Sequence, residues 1–124
     1  MKEDILYKKL EIETASPAKL VEMTYELAIK FVREAKRYFE EGNIEKRSQS
    51  IGKAISAIAA LRSCLDMEKG AEIASALDKL YDYMIYELSE ANIRQEAKRL
   101  NTVLEILKKL LDGWKEVRKK EERK

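Results

Sequence analysis

Helix breakers are almost absent from this chain, and that constrains it most. The 124 residues hold one proline, Pro17, and four glycines, at positions 42, 52, 70 and 113. Sheet turns have little material here, whereas helices of about six turns can run unbroken. The breakers that do occur are well placed. Ser16-Pro17 is a start signal, because serine caps orphan N–H groups and proline suits the first helical position. Gly42-Asn43 is a stop followed by a start, glycine closing one helix and asparagine capping the next.

Apolar spacing fills in the elements. The pattern predicts helices over about Pro17–Glu41, Asn43–Leu65, a third from after an Asp66–Gly70 turn to about Ala91, and about Arg94–Lys119. Short connections force neighbours to run antiparallel, so the expected fold is all-α, an elongated antiparallel four-helix bundle with a short N-terminal leader helix or cap. Residues 1–15 form the leader, 16–119 the bundle and 120–124 a frayed charged tail. The core is expected from Ile73, Leu77, Leu80, Tyr81, Met84, Leu88 and Ala91 on the third helix. On the fourth it is expected from Leu100, Val103, Leu104, Leu107, Leu110, Leu111, Trp114 and Val117.

Helices 1 and 2 carry more apolar surface than a core needs. Leu20, Met23, Leu27, Phe31 and Tyr38 make one stripe of helix 1, and Val21, Tyr25, Ala28, Val32 and Phe39 lie beside it. The two span roughly 200°, against a minimum of ~100° for a surface helix. From Ser50 to Leu65 only Lys53 and Arg62 are charged, among many small residues. Such a helix either packs closely or floors a shallow groove awaiting a partner. In the leader, Leu6 and Leu10 lie one turn apart with Tyr7 adjacent, a segment too short to hold a helix unless it docks. A weakly docked leader suits a removable cover.

Charge and composition exclude whole classes. Lys and Arg number 25 against 23 Asp and Glu, and there is no histidine. A net charge of +2 lacks the basic excess of a nucleic-acid binder, and no nucleic-acid partner is expected. Without histidine there is no imidazole base, triad or histidine metal site, and Glu22, Glu26, Asp82, Glu90 and Glu105 are expected on polar arcs. No catalytic residue, metal or cofactor is expected. The single cysteine, Cys64, is expected to be buried and inert. No segment is apolar enough to span a bilayer, so the protein is expected in the cytoplasm without membrane insertion.

Several blocks together resemble the flagellin export chaperone family FliS. They are Ala15-Ser16-Pro17-Ala18-Lys19-Leu20 leading into Met23-Thr24-Tyr25-Glu26, then Leu61-Arg62-Ser63-Cys64-Leu65-Asp66 and Gly70-Ala71-Glu72-Ile73-Ala74. Leu80-Tyr81-Asp82-Tyr83-Met84, Glu90-Ala91-Asn92 and Trp114 follow in order. The resemblance departs at Leu10, where the family leader often has a second tyrosine, and at Gly70-Ala71, where it often has a glycine pair.

The resemblance implies a cytoplasmic chaperone that binds the disordered C-terminal segment of flagellin. It further implies that the chaperone prevents premature polymerisation and delivers the subunit to the flagellar type III export gate. Its leader would lie near the binding surface and shift when flagellin arrives. The candidate partner-binding residues are Leu6, Tyr7 and Leu10 as cover, Ile55, Ile58, Ala59 and Leu61 as groove floor, and Val21, Tyr25, Ile29 and Tyr86. The competing expectation is a self-associating structural or assembly subunit, and a homodimer of the free protein is left open.

Overall fold

A computed structural model describes residues 17–123, so the leader, with Leu6, Tyr7, Leu10 and the Ser16 cap, lies outside the described residues. Four helices follow one another: α1 Pro17–Glu41, α2 Ile44–Ser63, α3 Met67–Arg94 and α4 Lys98–Glu122. α1 packs on α2 and α4, and α3 closes the ring by packing on the same two neighbours. This is the antiparallel bundle that short connections require.

The local signals act as their chemistry dictates. Gly42 sits at φ 70°, the left-handed region that glycine enters without steric cost. Around it, Asn43 N–H bonds the Tyr38 carbonyl at 3.0 Å and Gly42 N–H bonds that of Phe39 at 3.2 Å, a full Schellman closure. The Asn43 side chain then accepts from Lys46 N–H at 3.1 Å and caps α2.

The α3–α4 junction differs from expectation. Asn92 does not end α3, because its side-chain oxygen accepts from Arg47 Nε and Ser48 Oγ, each at 3.1 Å, across the bundle. With that side chain engaged on α2, α3 continues to Arg94. It ends where Gln95 turns to φ 57° and Glu96 N–H bonds the Ala91 carbonyl at 3.0 Å. α4 accordingly starts at Lys98 rather than Arg94. At the other junction the expected Asp66–Gly70 turn is largely helical, and the real break lies at Ala71, with φ 40° and ψ −112°.

Tyr25, Ala28, Val32 and Ala35 of α1 meet Ile51, Ala54, Ile58 and Leu61 of α2 in the core. Tyr81, Met84, Leu88 and Ala91 of α3 and Leu100, Val103, Leu104, Leu107 and Leu111 of α4 complete it. Two expected core residues are outside. Ile73 is 72% exposed and Val117 is also exposed, because the apolar stripes of α3 and α4 run on past the level where the bundle is closed. Leu20 and Leu27 of α1 are partly in solvent as well, so the wide arc of α1 does leave apolar surface uncovered.

Glu22 departs from its expected polar arc. It is 1% exposed and receives Arg118 Nε of α4, with Lys19 Nζ at 3.7 Å. A carboxylate on the inner face is tolerated because a guanidinium from the facing helix neutralises it. Arg47 is likewise buried, held by Asn92 and stacked 4.5 Å from the centre of the Phe39 ring.

Candidate functional site

The starts of α1 and α3 and the ends of α2 and α4 meet at one end of the bundle. There the four helices diverge around an apolar cavity of about 280 Å³. α1 supplies Val21, α2 supplies Leu61, Cys64 and Leu65, and α4 supplies Trp114. α3 contributes Ile73, Ala74, Leu77 and Tyr81, with Asp66 and Gly70 from the preceding corner. Ile73 of this lining is exposed, as is Met67 of the same corner. A concavity lined this way suits apolar side chains better than polar or charged groups.

A polar network lies beneath the apolar lining. Trp114 Nε1 donates to the Tyr25 hydroxyl at 3.0 Å, and that hydroxyl pairs with the hydroxyl of Tyr81. The two rings are 6.4 Å apart and tilted by 50°. Burial pushes both phenols above their usual range, and for Tyr81 the hydroxyl bond to Tyr25 adds to the rise. Both therefore stay neutral at physiological pH. The network joins α1, α3 and α4 beneath the cavity. Beside the cavity, Arg62 of α2 ties to α3 through Asp78 at 2.5 Å and Asp82 at 3.3 Å.

A second hollow, about 560 Å³, runs between α1 and α4. Its floor is Ile29 and Leu111, and its rim mixes Lys30, Arg33, Arg37 and Lys108 with Glu26, Glu34 and Asp112. It is larger but charged and shallow in apolar content, so the end cavity is the better candidate. Among the described residues no group of His, Cys, Asp or Glu is arranged to hold a metal ion. No helix of the described residues is long and apolar enough to cross a membrane.

The structure distributes the sequence candidates unevenly. Val21 and Leu61 come together on the cavity, Leu61 with most of its surface in the core. Ala59 is exposed and Ile55 half-buried, both on α2, while Tyr86 stands 54% exposed on α3. Tyr25 and Ile58 are wholly buried and Ile29 nearly so, so they support the surface from behind rather than form it. Ile58 falls inside because it continues the Ile51–Ala54–Leu61 stripe. Cys64, expected buried, is exposed at the cavity edge because α2 ends at Ser63, beyond the closed core.

Leu77, Tyr81 and Trp114 line the cavity although their periodicity assigned them to the core. Leu77 and Trp114 lie in the halves of α3 and α4 nearer the ends that meet here, which was the available signal, whereas Tyr81 sits mid-helix and carried none.

The fold and this open end define a helical bundle with an apolar concavity between the ends of its helices. The family described as "Flagellar protein FliS" matches residues 2–121, and the chain belongs to that family, one of flagellar secretion chaperones and not of enzymes. It is 36% identical over 115 residues to the flagellar secretion chaperone FliS of Vibrio cholerae, covering 90% of this chain and 85% of that one. It is 35% identical over 116 residues to the Salmonella typhimurium chaperone of the same name, covering 90% and 86%. A solved structure titled "Crystal structure of flagellar chaperone from bacteria" shares the fold with a TM-score of 0.79 at 18% identity, covering 94% of this chain and 98% of that one.

Proposed function

We propose that this protein holds the disordered C-terminal segment of flagellin in the cytoplasm, prevents its premature polymerisation and delivers it to the flagellar type III export apparatus. The observation that carries this reading is the apolar cavity at the open end of the bundle, in a member of a secretion chaperone family. An export substrate must remain unfolded, so its apolar residues need cover until passage. A bundle that lends such cover gains contact energy as the segment orders, and ordering entropy offsets part of it.

The leader completes the proposal. Pro17 begins α1 one turn before Val21, which lines the cavity. On this reading Leu6, Tyr7 and Leu10, which precede α1 in the sequence, act as a displaceable cover. Val21 and Leu61 would meet the partner in the cavity, and Ile55, Ala59 and Tyr86 along the flanks of α2 and α3. Tyr25, Ile29 and Ile58 would set the shape of that surface from within the bundle.

The test is isothermal titration calorimetry against a peptide of the last ~50 residues of the cognate flagellin, where saturable binding with a large negative heat-capacity change is expected. Deleting residues 1–12 should then tighten the association. Absence of binding to well-folded protein overturns the reading. Self-association through exposed Tyr83, Tyr86 and Ile93 of α3 then becomes the hypothesis to pursue, read by sedimentation.

A further inference from the structure

The break at Ala71 is the strained point of the described chain. A φ of 40° with ψ of −112° lies outside the left-handed helical well and is tolerated mainly by glycine. Yet alanine is the residue with the highest preference for the right-handed helix that flanks it. Local preference and observed conformation oppose each other here, as they do where function sets the geometry.

The turn before the break is self-contained. Asp66 closes it, its side chain accepting from Glu68 N–H at 3.1 Å and its carbonyl from Gly70 N–H at 2.8 Å. Gly70 then rests so close to the cavity-lining Ala74 that a Cβ added at position 70 would lie 2.7 Å from that of Ala74. The bent arrangement thus requires glycine at 70 and penalises alanine at 71. A continuous helix favours alanine at both positions.

We propose that Met67–Gly70 is a hinged flap of the end cavity, pivoting at Ala71. Bent, it presses Gly70 onto Ala74 and narrows the cavity. Straightened, it continues α3 by one turn, draws Leu65 and Gly70 off the cavity and admits an apolar partner segment. The inference rests on the proposed binding of a flagellin segment at this cavity. Exposed Met67 and Ile73, on either side of the pivot, are the apolar residues that the partner covers in the open form. Relief of the Ala71 conformation is gained only on opening, so it reduces the cost of admitting a ligand.

Two substitutions push the hinge in opposite directions. Ala71→Gly removes the strain of the bent form and weakens the straight helix, so it should lower affinity for the flagellin peptide about tenfold. Gly70→Ala clashes in the bent form and favours the straight one, so its affinity should equal or exceed that of the parent. Trp114, the single tryptophan, lines the cavity and reports the hinge without any peptide. Its emission should lie further to the red in Gly70→Ala than in Ala71→Gly, because opening admits water. Emission maxima that separate in this order support the hinge even if no peptide binds, in which case the flagellin reading alone fails. Identical emission in the parent and Ala71→Gly, with peptide affinities within twofold, overturns the hinge whether or not Gly70→Ala folds.

Discussion

Trp114 donates its indole N–H to the hydroxyl of Tyr25, 89 residues earlier in the chain, and so fastens the last helix to the first beneath the apolar cavity. The Tyr25 hydroxyl serves two neighbours, since it also pairs with Tyr81. Tyr25→Phe strands both a part-buried indole donor and a buried phenol, whereas Tyr81→Phe leaves Tyr25 its bond from Trp114. A buried group left unsatisfied costs about 1–3 kcal/mol. Tyr25→Phe should therefore destabilise by about 2–4 kcal/mol and Tyr81→Phe by about half as much, measured by urea denaturation.

The same pair sets an alkaline limit. Both phenols are raised above 10.0 by burial, so the folded state holds their protons more tightly than the unfolded chain does. Their contribution is fully present below about pH 10 and is lost as pH rises through the folded values. Relative to the Tyr25→Phe/Tyr81→Phe double variant, the parent should lose stability progressively above about pH 10, while below that pH the difference stays constant. Melting curves between pH 8 and pH 11.5 read this directly.

Glu22 and Arg118 make a further prediction. Arg118→Met leaves a buried carboxylate with Lys19 beside it, so the variant should unfold at lower denaturant than the parent. Adding Glu22→Gln removes the charge that was left behind, so the double variant should recover most of the loss. A double-mutant cycle by chemical denaturation distinguishes this from simple additivity.

Ala59 separates binding from folding. It is exposed on α2, so Ala59→Glu should leave helicity and melting nearly unchanged, within about 0.5 kcal/mol. On the proposed docking surface the new carboxylate is desolvated by an apolar partner, and peptide binding should be abolished. Unchanged affinity by calorimetry removes Ala59 from the surface.

Helix number, order and antiparallel sense were legible in the sequence because their causes are local. Gly42 enters a left-handed conformation because it has no Cβ, and Asn43 caps α2 with its own side chain; neither needs a distant partner. The stripes that hold Met84, Leu88, Leu104 and Leu107 follow from helical period alone. Other outcomes depended on what each face meets. Glu22 is buried because Arg118, from the far end of the chain, arrives opposite it. Asn92 failed to end α3 because Arg47 and Ser48 claimed its side chain. Ile73 and Cys64 are exposed because the helices diverge beyond Tyr81 and Trp114, opening the cavity. Periodicity specifies which face of a helix turns inward, but only the tertiary structure decides how far along that face a neighbour is present. The candidate site of this protein lies where the neighbours part.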